Sequence, residues 1–216
     1  RTMVKAMYDV DNVTGTVNGN FRLGGSGSDM DAIRRDLDGS LSVELLDGAW
    51  EGTDVWYELR KSRALIKGEP APKAPATPRT QFSSMVPSGK VTEGVMQNDD
   101  FFAQLPFMQL SGKGSVNFVE ATVEYTATGR FLEKPEFITA VSEEELDDFT
   151  KAVIPFRITG PLADPDIKPD VEEMLKDRAE KEAKKAIADK LFGDDDKEPP
   201  PEGEEPQEEK DIEDQL

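Results

Sequence analysis

Cysteine and histidine are both absent from this chain of 216 residues. Without cysteine the chain has no disulfide, no thiolate nucleophile and no Cys-ligated zinc. The absence of histidine excludes Ser-His-Asp catalysis, histidine general bases and most transition-metal sites. No apolar run approaches the roughly 18 residues that a membrane-spanning helix needs, and no signal peptide is visible. Because the chain opens on Arg1 directly into a strand-like pattern, we expect it to be a piece of a longer protein.

Negative charge is unevenly distributed along the chain. There are 45 acidic and 26 basic residues, a formal net charge of −19. A chain this acidic repels phosphate backbones, so no nucleic-acid partner is expected. Residues 194–216 hold 12 of the acids, only two lysines and four prolines, which predicts a disordered tail. A second break, the Pro/Ala-rich segment 69–79, is interpreted as an extended, flexible linker within a domain that spans residues 1–193.

Period-two alternation of apolar and polar residues dominates the rest of the chain and predicts half-buried strands. The alternation is clearest around Leu41–Leu45 and over residues 109–128, where the apolar parity switches near Val119 as a tight hairpin requires. Further strands are predicted at 13–23, 89–95, 101–105 and 154–160. Turn signals stand at Asp47-Gly48, Glu51-Gly52, Glu93-Gly94 and Asn98-Asp99. The fold class is therefore mainly β with helices, an antiparallel meander with one apolar face.

Four helices interrupt this meander. The first starts at Ser28-x-x-Asp31, the second is capped by Asp54 and ends at Gly68, and the third starts at a Ser142/Glu145 capping box. Asp170 and Glu173 form a capping box ahead of a C-terminal amphipathic helix that ends at Gly193. This helix is expected to pack one narrow stripe on the sheet; a membrane-surface or partner-binding helix is the alternative. The stripe consists of Val171, Met174, Leu175, Ala179, Ala183, Ala186, Ile187 and Leu191.

A search for catalytic or metal-binding chemistry finds little. Asp164, Asp166 and Asp170 could suggest a calcium loop, but their spacing is not that of an EF-hand, and a turn followed by a helix cap is the better interpretation. The glycines at 24, 25 and 27 could cradle a phosphate, but they lack the third glycine of the Gly-x-Gly-x-x-Gly motif and indicate a flexible turn. No arrangement satisfies the requirements of an active site. We expect a protein that is not an enzyme and has no metal or cofactor.

The apolar face of the meander is large compared with the helices available to cover it. An open apolar face of more than a few hundred Å2 usually marks a binding site. The residues alone leave two alternatives in balance: a core closed by the chain's own helices, or a groove for lipid or peptide.

A series of short motifs carries a family resemblance. The motifs occur in order over roughly Leu37 to Asp170. They are Leu37-x-Gly39, Asp47-Gly48-x-x-x-Gly52-x-Asp54, Tyr57-Glu58-Leu59-Arg60, Thr80-x-Phe82-Ser83, Gly94-Val95, Asn98-Asp99-Asp100, Leu105-Pro106, Gly112-x-Gly114-x-Val116, Tyr125, Ile154-Pro155-x-x-Ile158-x-Gly160-Pro161-Leu162-x-Asp164-Pro165 and Pro169-Asp170. This ordered set resembles the C-terminal region of AsmA-family proteins. The acidic tail lies outside the resemblance.

The resemblance implies a fold and a function. AsmA-like proteins are anchored in the inner membrane of Gram-negative bacteria by an N-terminal helix, here outside the chain, and extend into the periplasm. Like chorein-type bridge proteins, they form a curved, taco-like β-groove, are linked to outer-membrane assembly and are thought to carry phospholipid. The resemblance thus implies phospholipid, the membrane and envelope proteins as partners. The candidate groove residues, chosen by strand parity, are Leu41, Val43, Leu45, Leu110, Val116, Phe118, Val123 and Tyr125. The alternative is a structural domain with a closed core that docks outer-membrane biogenesis partners.

Overall fold

The computed structural model describes residues 12–132 and 141–192. The predicted tail and part of the segment before the third helix lie outside these residues. The described residues divide into two compact units, the first ending at Lys176 and the second beginning at Asp177. The first holds all the strands described below. The strands are β1 (Val13–Gly24), β2 (Asp38–Glu51), β3 (Arg79–Val86), β4 (Ser88–Thr92), β5 (Val95–Gln104), β6 (Met108–Asn117), β7 (Thr122–Phe131), β8 (Val153–Pro161) and β9 (Asp166–Pro169).

Nine strands form one antiparallel sheet, which confirms the predicted fold class at this level. The order is β1-β2-β3-β5-β6-β7-β8-β9, with β4 paired to β2 and β5. β3 and β4 pair with successive parts of β2 and are separated by Pro87, whose carbonyl accepts a hydrogen bond from the Val43 N–H at 3.0 Å. The order begins at β1 and ends at β9, so the sheet is open rather than a closed barrel.

The predicted β6–β7 hairpin is confirmed, and its register explains the parity switch. Val116 pairs with Val123, and Gly114 pairs with Tyr125, so the apolar residues of both strands share one face. The Asn117 Oδ1 accepts hydrogen bonds from the N–H groups of Val119 and Glu120, both at 2.9 Å, and this closes the turn. The predicted turn at Glu93-Gly94 is likewise the β4–β5 connection, where both residues have positive φ, as a two-residue hairpin requires.

Two predicted turns are wrong, and each is an irregularity inside a continuous strand. Asp47-Gly48 lies within β2, where Asp47 has a φ of 50°. Asn98-Asp99 lies within β5, whose register against β6 shifts between Asn98 and Phe101. Asx-Gly and Asn-Asp pairs suit both turns and β-bulges because they tolerate unusual backbone angles. Only the pairing of the neighbouring strands distinguishes the two.

Helices α1 (Met30–Arg35), α2 (Val55–Lys67) and α3 (Glu143–Thr150) stand where the first three helices are predicted, and a fourth helix, α4, spans Val171–Phe192. Asp29 rather than Ser28 caps α1, since its Oδ1 accepts a hydrogen bond from the Ala32 N–H at 2.8 Å. Asp54 caps α2 as predicted, and Gly68 ends it with a φ of 69°. No described helix has the length and apolar composition to cross a membrane.

The core lies on one face of the sheet. Side chains on this face are mostly apolar, and most of those on β5 to β8 are buried. The alternate residues, such as Lys113, Glu124 and Arg157, lie on the other face. β3 and β9 contribute Phe82 and Ile167 to the core; sequence reasoning did not identify either as a strand. The sequence predicts a turn over this segment, because β9 has only four residues, of which two are charged and one is a proline. Its buried side chains are Ile167 and Pro169.

Candidate functional site

The apolar face of the sheet is the candidate site, and its centre is the β6–β7 hairpin. Leu110 has no exposed surface, and Val116 and Tyr125 are also buried. Leu41, Leu45, Phe118 and Val123 are partly buried and pack against the same core. Val43 is half-buried on the face of Leu41 and Leu45. The structure therefore brings the eight predicted residues onto one face, but it distributes them between a closed centre and a more open side.

Small residues allow the hairpin to pack closely. A Cβ built on Gly114 would lie 2.2 Å from the Glu124 carbonyl oxygen and 2.5 Å from Cγ of Tyr125. The Tyr125 ring therefore lies across Gly114, towards β5, where its centroid is 5.2 Å from that of Phe101. Glycine is the one residue type that leaves room for this ring, because any side chain at this position would meet it.

Two polar groups interrupt the apolar centre. Asn98 pairs with Gly114 across β5 and β6, so it stands in the same row as Tyr125. Within the described part of the chain, the Tyr125 hydroxyl and the Asn98 Oδ1 are buried without a hydrogen-bond partner. The Asn98 Nδ2 donates to Asp100 at 2.7 Å. Burial, with a smaller effect of the Asp100 charge, raises the pKa of Tyr125 to about 12, so the phenol stays protonated at neutral pH.

Helix α2 covers one side of the apolar face. It contacts β3 and β9, and its Val55 and Leu59 side chains are fully buried in the core. The local sequence explains the position: Thr80 on β3 accepts a hydrogen bond from the Val55 N–H at 2.9 Å and donates one to the Thr53 carbonyl at 2.8 Å. The start of α2 is thus tied to the edge of the core that it covers.

Helix α3 adds an aromatic layer at the end of the β6–β7 hairpin that lies opposite its turn. Phe149 stacks on Phe131 of β7 with ring centroids 5.5 Å apart. Trp56 of α2 contacts Phe149 edge-on at 5.4 Å and Phe107 at 5.8 Å. Aromatic pairs in this range add about 0.5–1.5 kcal/mol each beyond their buried area. The layer closes the β5–β7 end of the apolar face.

Ion pairs join α3 to α2. Asp148 accepts hydrogen bonds from Arg63 at 2.8 Å and Lys67 at 2.7 Å. Burial alone would raise the pKa of the Asp148 carboxyl, but the hydrogen bonds from Lys67 and Arg63 outweigh it and hold that pKa below its usual value. Glu145 pairs with Arg60 at 2.7 Å. The predicted capping box is therefore only half formed: Ser142 caps α3 through the Glu145 N–H at 3.1 Å, while the Glu145 carboxylate binds Arg60.

On the opposite side of the face, no described helix packs on β1 as α2 packs on β3 and β9. Val17 pairs with Leu45 and Phe21 with Leu41, so the apolar residues of β1 continue the face of β2. Phe21 is 68% exposed, Val17 47% and Leu23 37%. Sequence reasoning missed these three residues as site candidates, although the β1 strand itself was predicted. Their alternation was visible, but their exposure depends on which strands neighbour β1.

A cavity of about 830 Å3 lies on the polar face of the sheet. It is lined by side chains that include Lys113, Thr126 and Arg157. Arg157 is bound to Asp170, and Asp170 also caps α4 through the Glu173 N–H. The described residues contain no group of three carboxylates placed to hold a metal ion. The predicted turn and helix cap thus account for Asp170, and the cavity belongs to the polar face rather than to the apolar one.

Comparison with known proteins finds a relative in Escherichia coli. The chain is 23% identical over 189 residues to Protein AsmA of Escherichia coli (strain K12), and the aligned region covers 87% of this chain. It spans only 30% of the length of AsmA. No family model matches the chain, and neither does any solved structure. The similarity to AsmA confirms the family resemblance that the ordered motifs predict.

Proposed function

We propose that the chain is a phospholipid-binding module of the Gram-negative cell envelope. In this proposal it belongs to an inner-membrane-anchored protein, lies on the periplasmic side and supports outer-membrane assembly. Its activity is to hold or conduct acyl chains along the apolar face of the sheet, without a chemical step. The similarity to AsmA supports the envelope context, and the apolar face supplies the binding surface.

One observation carries the proposal: the apolar face continues from a closed core onto an exposed strand. The rows that join Leu41 to Phe21 and Leu45 to Val17 lead from partly buried to exposed side chains. An acyl chain gains about 0.8 kcal/mol for each CH2 that it buries. A few methylenes placed on this surface therefore gain as much as a buried leucine does. The open side at β1 and β2 is the proposed lipid contact.

Photo-crosslinking by strand parity tests the proposal. Crosslinkers at Val17 and Phe21 face the proposed lipid and should capture phospholipid, whereas crosslinkers at Asn20 and Glu124 face the opposite side and should not. Native mass spectrometry of the purified chain should show co-purifying phospholipid. Equal capture from both parities, or none from either, would contradict the proposed surface.

A closed interaction domain is the second candidate, and the burial of Leu110 and Tyr125 favours it. In that case the domain docks envelope proteins through its surface, and its apolar face never meets lipid. The purified chain would then carry no phospholipid, and Phe21→Lys would change neither lipid content nor envelope function in a cell that depends on the full-length protein.

A further inference from the structure

Helix α2 lies on an excursion of the chain between two strands that are paired with each other. Glu51, the last residue of β2, pairs directly with Arg79, the first residue of β3, so residues 52–78 leave the sheet and return to it at the same point. The Gly52 N–H donates a hydrogen bond to the Pro78 carbonyl at 2.9 Å. Gly52 has a φ of 88°, a backbone angle that favours glycine. The segment that carries α2 is therefore connected to the sheet at one narrow point.

Few large side chains hold α2 on the apolar face of the sheet. Val55 and Leu59 are fully buried, but the other two buried residues of the helix, Ser62 and Ala64, are small. Leu65 is 70% exposed. By contrast, β8 buries three large apolar side chains within nine residues. An element with few buried apolar contacts can open locally while the rest of the domain stays folded.

The contacts of α2 with α3 add little to this attachment. Arg60, Arg63 and Lys67 pair with carboxylates of α3 at 2.7–2.8 Å. These ion pairs are partly exposed, so each contributes little to stability, and salt screens it. Trp56 contacts Phe149 edge-on, but its ring is only partly buried. Release of α2 from the sheet would therefore break few strong contacts.

The surface that α2 contacts is continuous with the exposed side of the apolar face. One row of paired residues crosses seven strands from β1 to β8, and none of its residues is polar. The row consists of Val17, Leu45, Met85, Ala103, Leu110, Gly129 and Ile154. Val17 is 47% exposed, whereas Ile154 has no exposed surface. α2 contacts β3 within the row and β9 beyond its end, and Leu59 belongs to the same buried cluster as Ile154.

We propose that α2 occupies a second acyl-chain site, the apolar surface between β3 and β9, and that its release extends the lipid path onto β8 and β9. This inference rests on the proposed function, because it takes the ligand to be a phospholipid. While α2 is docked, Val55 and Leu59 fill the place of acyl methylenes, and lipid is confined to the side of β1 and β2. After release, acyl methylenes replace the helix as the cover of this surface, because burial of either removes apolar area from water.

Hydrogen–deuterium exchange of the whole chain without lipid tests the release of α2. The amides of α2 should be less protected than those of β6 and β7. Leu59→Ala should speed α2 exchange about a hundredfold, the change in an opening equilibrium that loss of a buried leucine produces. Leu65→Ala is the matched control on the exposed side of the same helix and should exchange like wild type. Equal protection of α2, β6 and β7 would mean that α2 opens only when the domain unfolds, and would overturn the inference.

The same measurement with vesicles of equal parts phosphatidylethanolamine and phosphatidylcholine tests the second site. In wild type and Leu65→Ala, the vesicles should slow exchange in β1 and β2 but not in β8 and β9. In Leu59→Ala they should slow exchange in all four strands. Circular dichroism should show that the sheet of each variant is intact. If Leu59→Ala has lost its sheet, the smaller truncation Leu59→Val takes its place in the same comparison.

The second site and the proposed function fail in different ways. Slowing in β1 and β2 of every protein, without slowing in β8 and β9 of Leu59→Ala, would overturn the second site and leave the proposed function standing. No slowing in any strand of any of these proteins would overturn both. Slowing in β8 and β9 of wild type to the same extent as in Leu59→Ala would show that α2 does not restrict the lipid path, and would also overturn the inference.

Discussion

The two sides of the apolar face have the same alternating pattern but different surroundings. Ile154 and Phe156 on β8 are buried, whereas Val17 and Phe21 on β1 are exposed. The difference comes from the helices: α2 contacts β3 and β9, α3 contacts β7, and the described helices make no comparable contact with the face of β1. Strand alternation therefore specifies which face is apolar, and helix packing decides which part of that face is core and which part stays exposed.

The largest expected effect comes from aromatic truncation on the two sides. Phe156→Ala removes a fully packed ring from the covered side and should lower the free energy of unfolding by about 3–5 kcal/mol. Phe21→Ala on the open side should change it by less than about 0.5 kcal/mol. Urea denaturation followed by circular dichroism measures both. Equal losses would mean that β1 is covered as fully as β8.

Two leucines among the predicted site residues allow the same comparison between the closed centre and the open side. Leu110→Ala opens a cavity in the closed centre and should cost about 3 kcal/mol. Leu41→Ala, at a half-buried position on β2, should cost about 1 kcal/mol. The same denaturation experiment gives both values. A larger loss at Leu41 than at Leu110 would show that the boundary between core and open surface is placed wrongly.

The ion pairs that hold α3 predict a pH dependence. Asp148→Asn should lower stability at neutral pH by about 1 kcal/mol, since the pair is partly exposed and screened. The carboxyl has a lowered pKa in the folded chain, so its contribution is present above the unfolded pKa of about 3.9 and is lost as pH falls through the folded value. The unfolding free energies of wild type and variant should therefore differ at pH 7, and the difference should shrink as the pH falls below the unfolded pKa. A difference that grew on acidification would contradict the assigned role.

The smallest expected effect is the difference in stability loss between two neighbouring substitutions at the start of α4. Met174 packs against the core, while Leu175 is 46% exposed, although both belong to the predicted apolar stripe. Met174→Ala should cost about 1 kcal/mol and Leu175→Ala less than about 0.5 kcal/mol. Thermal unfolding of the two variants side by side measures the difference. The reverse order would mean that α4 buries the side of the helix that carries Leu175.

Local features of this fold could be predicted because they depend on nearby residues. The β6–β7 parity switch, the Asp54 cap and the Gly68 stop are set within a few positions by alternation, capping and backbone freedom. The Asn98-Asp99 bulge could not be told from a turn, because the two differ only in whether a partner strand continues alongside.

Which part of the apolar face is covered by helices could not be predicted from the sequence, for the same reason. Leu41 and Leu110 have equivalent alternating contexts, and only the docking of α2 and α3 gives them different surroundings. The apolar character of Phe21 was visible, but its exposure follows from the position of β1 at the end of the sheet. Long-range packing therefore determines which of the apolar residues are buried and which are exposed.

Hydrogen–deuterium exchange with and without phospholipid tests the central claim most directly, because it reads the two sides of the face in one experiment. Bound acyl chains should exclude water from the exposed side, so that amide exchange slows in β1 and β2, while exchange in β8, whose Ile154 and Phe156 are already buried, is unchanged. Slowing confined to β7 and β8, or no change in any strand at a phospholipid concentration that saturates binding, would contradict the account.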